Sequence, residues 1–148
     1  VSNAPRRAHP GDLLPLLALI AEFYAIDVHD YDEERIIPAL EPMLVDDALG
    51  QVWVLEDESL RLNGYLIVTW TWSLESGGRD CIVDEIYVRE TGHGNGARLL
   101  EHGLAEAVSF GARAAFLETE APNDAARRFY LRHGFVAEDS IWMSTPIP

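Results

Sequence analysis

The run Cys81-Ile82-Val83-Asp84-Glu85-Ile86-Tyr87-Val88 leads through Arg89-Glu90-Thr91 into Gly92-His93-Gly94-Asn95-Gly96-Ala97-Arg98-Leu99-Leu100. Its first eight residues are rich in β-branched and aromatic side chains and read as a strand. From Gly96 to Phe110 the pattern is helical, with Leu99, Leu100, Gly103, Leu104, Ala107 and Val108 on one face. A strand that runs into glycines and then into a helix leaves backbone N–H groups without partners, and the helix dipole adds partial positive charge there. Glycine also accepts positive φ and lets the backbone approach a phosphate closely. The corner is therefore either an anion cradle or a tight turn, and its residues alone leave both open.

Two familiar phosphate loops fit poorly. A P-loop ends in Gly-Lys-Ser/Thr, and this chain has no lysine, all eleven of its basic residues being arginine. The dinucleotide fingerprint is G-x-G-x-x-G, whereas here the spacing is G-x-G-x-G. Glu118 lies where a ribose-binding acid could sit, so a nucleotide-dependent oxidoreductase is kept as a distant alternative.

Working outward, Asp12 caps a first helix in which Leu13, Leu16, Leu17, Ile20, Ala21 and Tyr24 share a face, ending near Ala25. A second helix runs from Glu33 towards Val45, although Pro38 and Pro42 threaten its continuity. Gln51 to Glu56 and Leu62 to Trp72 read as antiparallel strands, and Gly77-Gly78 turns the chain back into the strand from Cys81. After the central helix come a strand over Ala114 to Thr119, a helix over Asp124 to His133, and a closing strand or hairpin over Phe135 to Ser144. A further short strand is an option near Arg6 to Ala8. The order predicts a mixed α/β (α+β) domain: a largely antiparallel central sheet flanked by helices, carrying one β-α-β unit.

With 148 residues and 48% hydrophobic composition, the chain can bury one real core, and no linker or repeat divides it. A single domain over residues 5–148 is expected, with residues 1–4 read as an expression-tag remnant. The longest apolar stretch, Leu13 to Ile20, is broken by Pro15 and too short to span a bilayer. The single cysteine, Cys81, excludes an internal disulfide and fits a reducing, cytoplasmic setting. A net charge of −14 argues against nucleic acid and anionic membrane as partners and suits a cationic or amine partner. The five histidines show no ligand spacing, so no metal site is expected.

Gly92-His93-Gly94-Asn95-Gly96-Ala97 with Leu99-Leu100 resembles the acetyl-CoA-binding segment of the GNAT acetyltransferases, R/Q-G-x-G-x-G followed by a helix with paired leucines. Asn123-Asp124-Ala125-Ala126-Arg127-Arg128-Phe129-Tyr130-Leu131-Arg132-His133-Gly134-Phe135 is similar to that family's second signature, N-x-x-A-x-x-x-Y-x-x-x-G-F. The resemblance covers essentially the whole chain, and it departs from the pattern at Thr91, where the family usually has Arg or Gln, and in a slightly shorter loop after Val88. Arg89 and Arg98 are candidates to replace the lost cation.

The resemblance implies an N-acetyltransferase that moves an acetyl group from acetyl-CoA to a primary amine of a small molecule or peptide by direct attack, without a metal. It implies cofactor contacts from the backbone of Ile86, Tyr87 and Val88, from Gly92 to Ala97, and from Asn123, which could equally serve only as a helix N-cap. Asp84 and Glu85 are acids within an apolar strand, and alternation should place only one of them on a given face. One is the candidate base, with Glu85 slightly favoured. Tyr130 is the candidate acid for the departing thiolate. Tyr65, Trp70 and Trp72 alternate on a strand and are read as core packing, with an acceptor pocket as the alternative, and Tyr24, Asp27, Asp30 and Tyr31 as surroundings of the helix connection that commonly shapes the acceptor site. A homodimer is compatible with the family. The competing expectation is a non-catalytic acyl-CoA-binding module of the same fold.

Overall fold

A computed structural model describes residues 4–148, which divide into two compact units, one running to Leu117 and one over Glu118–Pro148. In the first unit β1 (Arg6–Arg7) and a 3-10 turn (Pro10–Asp12) lead into α1 (Leu13–Asp27) and α2 (Glu33–Val45). Then follow β2 (Gly50–Glu56), β3 (Leu62–Ser73), β4 (Gly78–Val88), α3 (Asn95–Ser109) and β5 (Ala115–Phe116). The sheet order is β1-β2-β3-β4-β5, antiparallel throughout except for the parallel β4–β5 pair that closes a β-α-β unit around α3. This is the mixed, largely antiparallel α/β architecture expected from the pattern of elements.

The two faces of the sheet are covered by different helices. Val52, Val54, Tyr65 and Ile67 share a core with Leu16, Leu17 and Ile20 of α1 and with Ile36, Leu40 and Met43 of α2. On the opposite face Leu66 meets α3 so closely that a Cβ on Gly103 would lie 2.2 Å from Leu66 Cδ2. Glycine at that point is what lets the helix seat against β3. Both prolines of α2 sit on its exposed side, where the carbonyls they leave unbonded can be hydrated, while Ile36, Leu40, Met43 and Leu44 are buried opposite. The helix is therefore continuous.

At the front, β1 pairs with Val54 and Trp53 of β2. Arg6 then joins strand to turn: its guanidinium reaches Asp12 at 2.8 Å and Glu56 at 2.6 Å. Among the described residues, no helix is long and apolar enough to cross a membrane.

Two sequence expectations need correction. The strand expected over Ala114 to Thr119 is reduced to Ala115–Phe116, because its ladder with β4 is limited to Cys81 and Ile82. The closing strand or hairpin over Phe135 to Ser144 does not form. A strand must exchange backbone hydrogen bonds with a neighbour, and residues 136–148 make no backbone ladder, leaving Ile141, Trp142 and Met143 exposed. The second unit contains α4 (Asp124–Arg132) as its one regular element among the described residues.

Candidate active site

The β3–β4 ladder pairs Val68 with Val83 but Ile67 with Glu85, so Asp84 is an extra residue, a β-bulge. Regular alternation would turn Val83 and Glu85 to the same face. The bulge shifts the phase by one residue. Val83 is thereby buried opposite Val68, while Glu85 joins Tyr65 and Ile67 on the face covered by α1.

On that face Glu85 is held by two phenols. Tyr24 of α1 donates to Glu85 Oε2 at 2.7 Å, and Tyr65 of β3 donates to Glu85 Oε1 at 2.8 Å. Burial pushes the Glu85 carboxyl above the usual range, opposed by the two hydroxyls and reinforced by the neighbouring charge of Asp84. Asp84 is exposed at the sheet surface, yet the protein around it strips part of its hydration and raises its carboxyl as well. Both phenols are pushed up, by desolvation first and then by Glu85, so they remain neutral donors.

Aromatic rings enclose this pair. Tyr24 packs edge-on against Tyr31 at 6.3 Å and His29 at 5.7 Å, and Phe23 lies 5.8 Å from Tyr87. Asp27 Oδ2 approaches His29 Nε2 at 3.2 Å. Further along β4, Tyr87 donates to Glu22 Oε2 at 3.1 Å, and Arg89 forks onto Glu22 at 3.0 and 2.7 Å. Arg89 is thus engaged by α1, which weakens its case as the missing cation of the glycine corner. The side chain of Arg98 hydrogen-bonds Asn95 Oδ1.

At the corner itself Gly92 and Gly94 take φ of 82° and 77°, and a Cβ on either would meet nothing within 4 Å. Positive φ explains why glycine is needed, and the open space leaves the backbone approachable. Among the described residues, no backbone N–H from Thr91 to Ala97 donates to another backbone group. Asn95 begins α3 and is buried, one residue earlier than its periodicity suggests. Within this unit the edge of β4 opposite β3 is unpaired from Val83 to Val88, which includes Ile86, Tyr87 and Val88. These donors and this free edge fit a pyrophosphate and an amide-bearing arm, the two chemistries that a coenzyme A thioester presents.

In the second unit, Asn123 caps α4 by accepting from the Ala126 N–H at 3.1 Å. Tyr130 is half-buried on α4, with its ring 5.2 Å from Phe129 and 5.6 Å from Phe135. The first unit therefore brings together Asp84, Glu85 and two tyrosines that the sequence did not commit to the site. Tyr24 reads there as part of a helix face and of the surroundings of the acceptor-shaping connection, and Tyr65 as core before acceptor pocket. Trp72 is not core, being 74% exposed. Among the described residues, no group of acidic, histidine or cysteine side chains is arranged to hold a metal ion.

A half-open sheet edge, a glycine corner whose N–H groups make no backbone bonds and an acidic strand beside it give this unit a site suited to a phosphorylated, amide-bearing ligand. Comparison of the sequence with known families matches residues 15–135 to the Acetyltransferase (GNAT) family, and the chain belongs to that family. No curated protein sequence matches it. Among solved structures it is similar to an integron cassette protein from the mobile metagenome of Cole Harbour Salt Marsh, with 28% identity, a TM-score of 0.86, and 97% of this chain and 90% of that chain covered. An aminoglycoside acetyltransferase from an uncultured soil metagenomic sample, in complex with sisomicin, shares the fold at 18% identity and a TM-score of 0.78, over 97% of this chain and 95% of that one. So does a ribosomal-protein-alanine N-acetyltransferase from Brucella melitensis biovar Abortus 2308, at 22% identity and a TM-score of 0.69, over 100% and 99%.

Proposed function

We propose that this GNAT protein transfers an acetyl group from acetyl-CoA to the primary amine of a small molecule or peptide, by direct attack in a ternary complex. The observation that carries the proposal is the bulge in β4. It sets two adjacent carboxylates with raised proton affinity on the strand that delivers the glycine corner. When bound, acetyl-CoA supplies the acetyl group as an activated thioester. The backbone of Gly92 to Ala97 would hold its pyrophosphate, and the free edge at Ile86, Tyr87 and Val88 its amide arm. Asp84 or Glu85 would accept the acceptor's proton, and the rings of Tyr24 and Tyr31 would favour a cation nearby.

From the second unit we assign Tyr130 as donor to the departing sulfur and Asn123 as a further cofactor contact, on the likeness of their motif to the family's. The family match, over residues 15–135, reaches into both compact units, which supports a single acetyltransferase domain over residues 5–148. The acidic composition and lone cysteine fit a cytoplasmic enzyme.

The test is acceptor-dependent release of free thiol from acetyl-CoA across a panel of amines comprising spermidine, sisomicin, an amino-acid amide and a free peptide N-terminus. Release with at least one amine is expected. Tyr130→Phe should lower turnover far more than acetyl-CoA affinity, and unchanged turnover would remove the tyrosine from the mechanism. A second reading, a non-catalytic acyl-CoA-binding module, draws on Thr91 at the corner and the engagement of Arg89 by Glu22. Tight acetyl-CoA binding with no release for any amine would favour it.

A further inference from the structure

We propose that the two adjacent carboxylates divide the work: Asp84 takes the proton from the acceptor's ammonium, while Glu85, held by the hydroxyls of Tyr24 and Tyr65, stays ionised and anchors the cation. This assignment rests on the amine-acetylation reading above.

The argument starts from hydrogen-bond occupancy. Each Glu85 oxygen already accepts a short bond from a phenol, at 2.7 and 2.8 Å. Protonating Glu85 would weaken its oxygens as acceptors for the two hydroxyls, so the tyrosines favour the charged form. They are positioning residues, acting through Glu85. Asp84 differs in every respect. As the extra residue of the bulge it has no residue opposite it on β3, and among the described residues no hydrogen-bond donor reaches its carboxylate. It is exposed, whereas Glu85 is half-buried. A proton acceptor must take a proton without giving up donors that favour its charge and must return it to water, and Asp84, exposed and without such donors, meets both conditions. An anchor must keep its charge and its position, and the two phenols that hold Glu85 favour both.

The proton balance is simple. One N–H bond of the ammonium breaks, its electron pair stays on nitrogen, and the proton goes to an Asp84 oxygen. The freed pair forms the N–C bond to the thioester carbonyl carbon. The C–S pair leaves with sulfur, which takes a proton from the donor assigned above, Tyr130; the next proton lost by that nitrogen restores the phenol, and Asp84 releases its own to solvent.

The groups around the pair are Tyr24 and Glu22 from α1, His29 from the α1–α2 connection, Tyr65 from β3 and Tyr87 from β4, with Arg35 of α2 acting on Tyr24. His29 acts electrostatically on Glu85 from outside the carboxylate pair, so a His29→Gln variant is the control.

The experiment measures kcat and KM against pH with whichever amine of the panel gives the highest kcat/KM. Asp84→Asn should lower kcat about 100-fold or more and abolish the acidic limb of the profile. Glu85→Gln should keep that limb and raise KM for the amine about tenfold or more. His29→Gln should keep both. Loss of the limb in Glu85→Gln, whether or not Asp84→Asn also loses it, would overturn the division. So would its retention in Asp84→Asn. If the native chain acetylates no amine in the panel, the reading beneath has failed instead. A readout without turnover is the carboxyl-carbon NMR titration of the free protein. Tyr24→Phe should move Glu85 upward and Asp84 far less, and equal movement of the two would contradict separate roles.

Discussion

At the residue scale the site is a balance between burial and hydrogen bonding. Asp84 and Glu85 are legible in the sequence as acids inside an apolar strand. Their arrangement is not, because alternation assigns faces only when the register is regular, and the bulge breaks it between Ile67 and Val68. Tyr65 illustrates the same gap. Its body is fully buried, as a core residue should be, but its hydroxyl end reaches Glu85. Raised carboxyls weaken the fold where they are ionised. For Asp84 the cost is present above its native range and disappears below the unfolded value of about 4, where both states are protonated. Asp84→Asn should therefore raise the urea midpoint at pH 7 and leave it unchanged near pH 3. A lower midpoint at pH 7 would show that the carboxylate stabilises the fold.

At the element scale, local spacing identified the strands and helices of the first unit well, since each buries one face against a neighbour. The α2 prolines misled only as to continuity, because sequence does not say which side of a helix faces water. The missing closing strand has the converse cause: apolar residues at strand spacing form no strand without a neighbour to complete the ladder. Two glycines test the packing. Gly103→Ala should destabilise by about 1–3 kcal/mol, because Leu66 is fully buried and has no room to yield. Denaturant unfolding measures this, and a change below about 0.5 kcal/mol would mean that the helix seats less tightly. Gly94→Ala meets no atoms but must hold φ of 77°, a strain of about 1–2 kcal/mol. Its acetyl-CoA affinity by calorimetry should fall with the stability, and unchanged affinity would move the cofactor away from this corner.

At the scale of the whole molecule, charge dominates. A net charge of −14 opposes compaction through self-repulsion, so added salt should raise the melting temperature. The same field should make KM for a cationic amine rise with ionic strength, and insensitivity would argue against a charged acceptor. Acid should act in the other direction. Burial would raise the Asp12 carboxyl, but Arg6 and the His9 N–H outweigh it, and Arg89 holds Glu22 below its usual range. Stability from these lowered groups is complete above the unfolded carboxylate values and is lost as pH falls below about 4. Composition and two motifs made the fold and the acetyltransferase family legible at this scale, whereas they do not show how side chains from α1, β3 and β4 meet around the candidate site.

The most direct measurement is thiol release from acetyl-CoA by the native chain and by Asp84→Asn, with and without amine. The native chain should release thiol only when an amine is present, and Asp84→Asn should do so about 100-fold more slowly while still binding acetyl-CoA. Release independent of amine, or equal release by the two proteins, would contradict an acidic β4 bulge as the centre of the reaction.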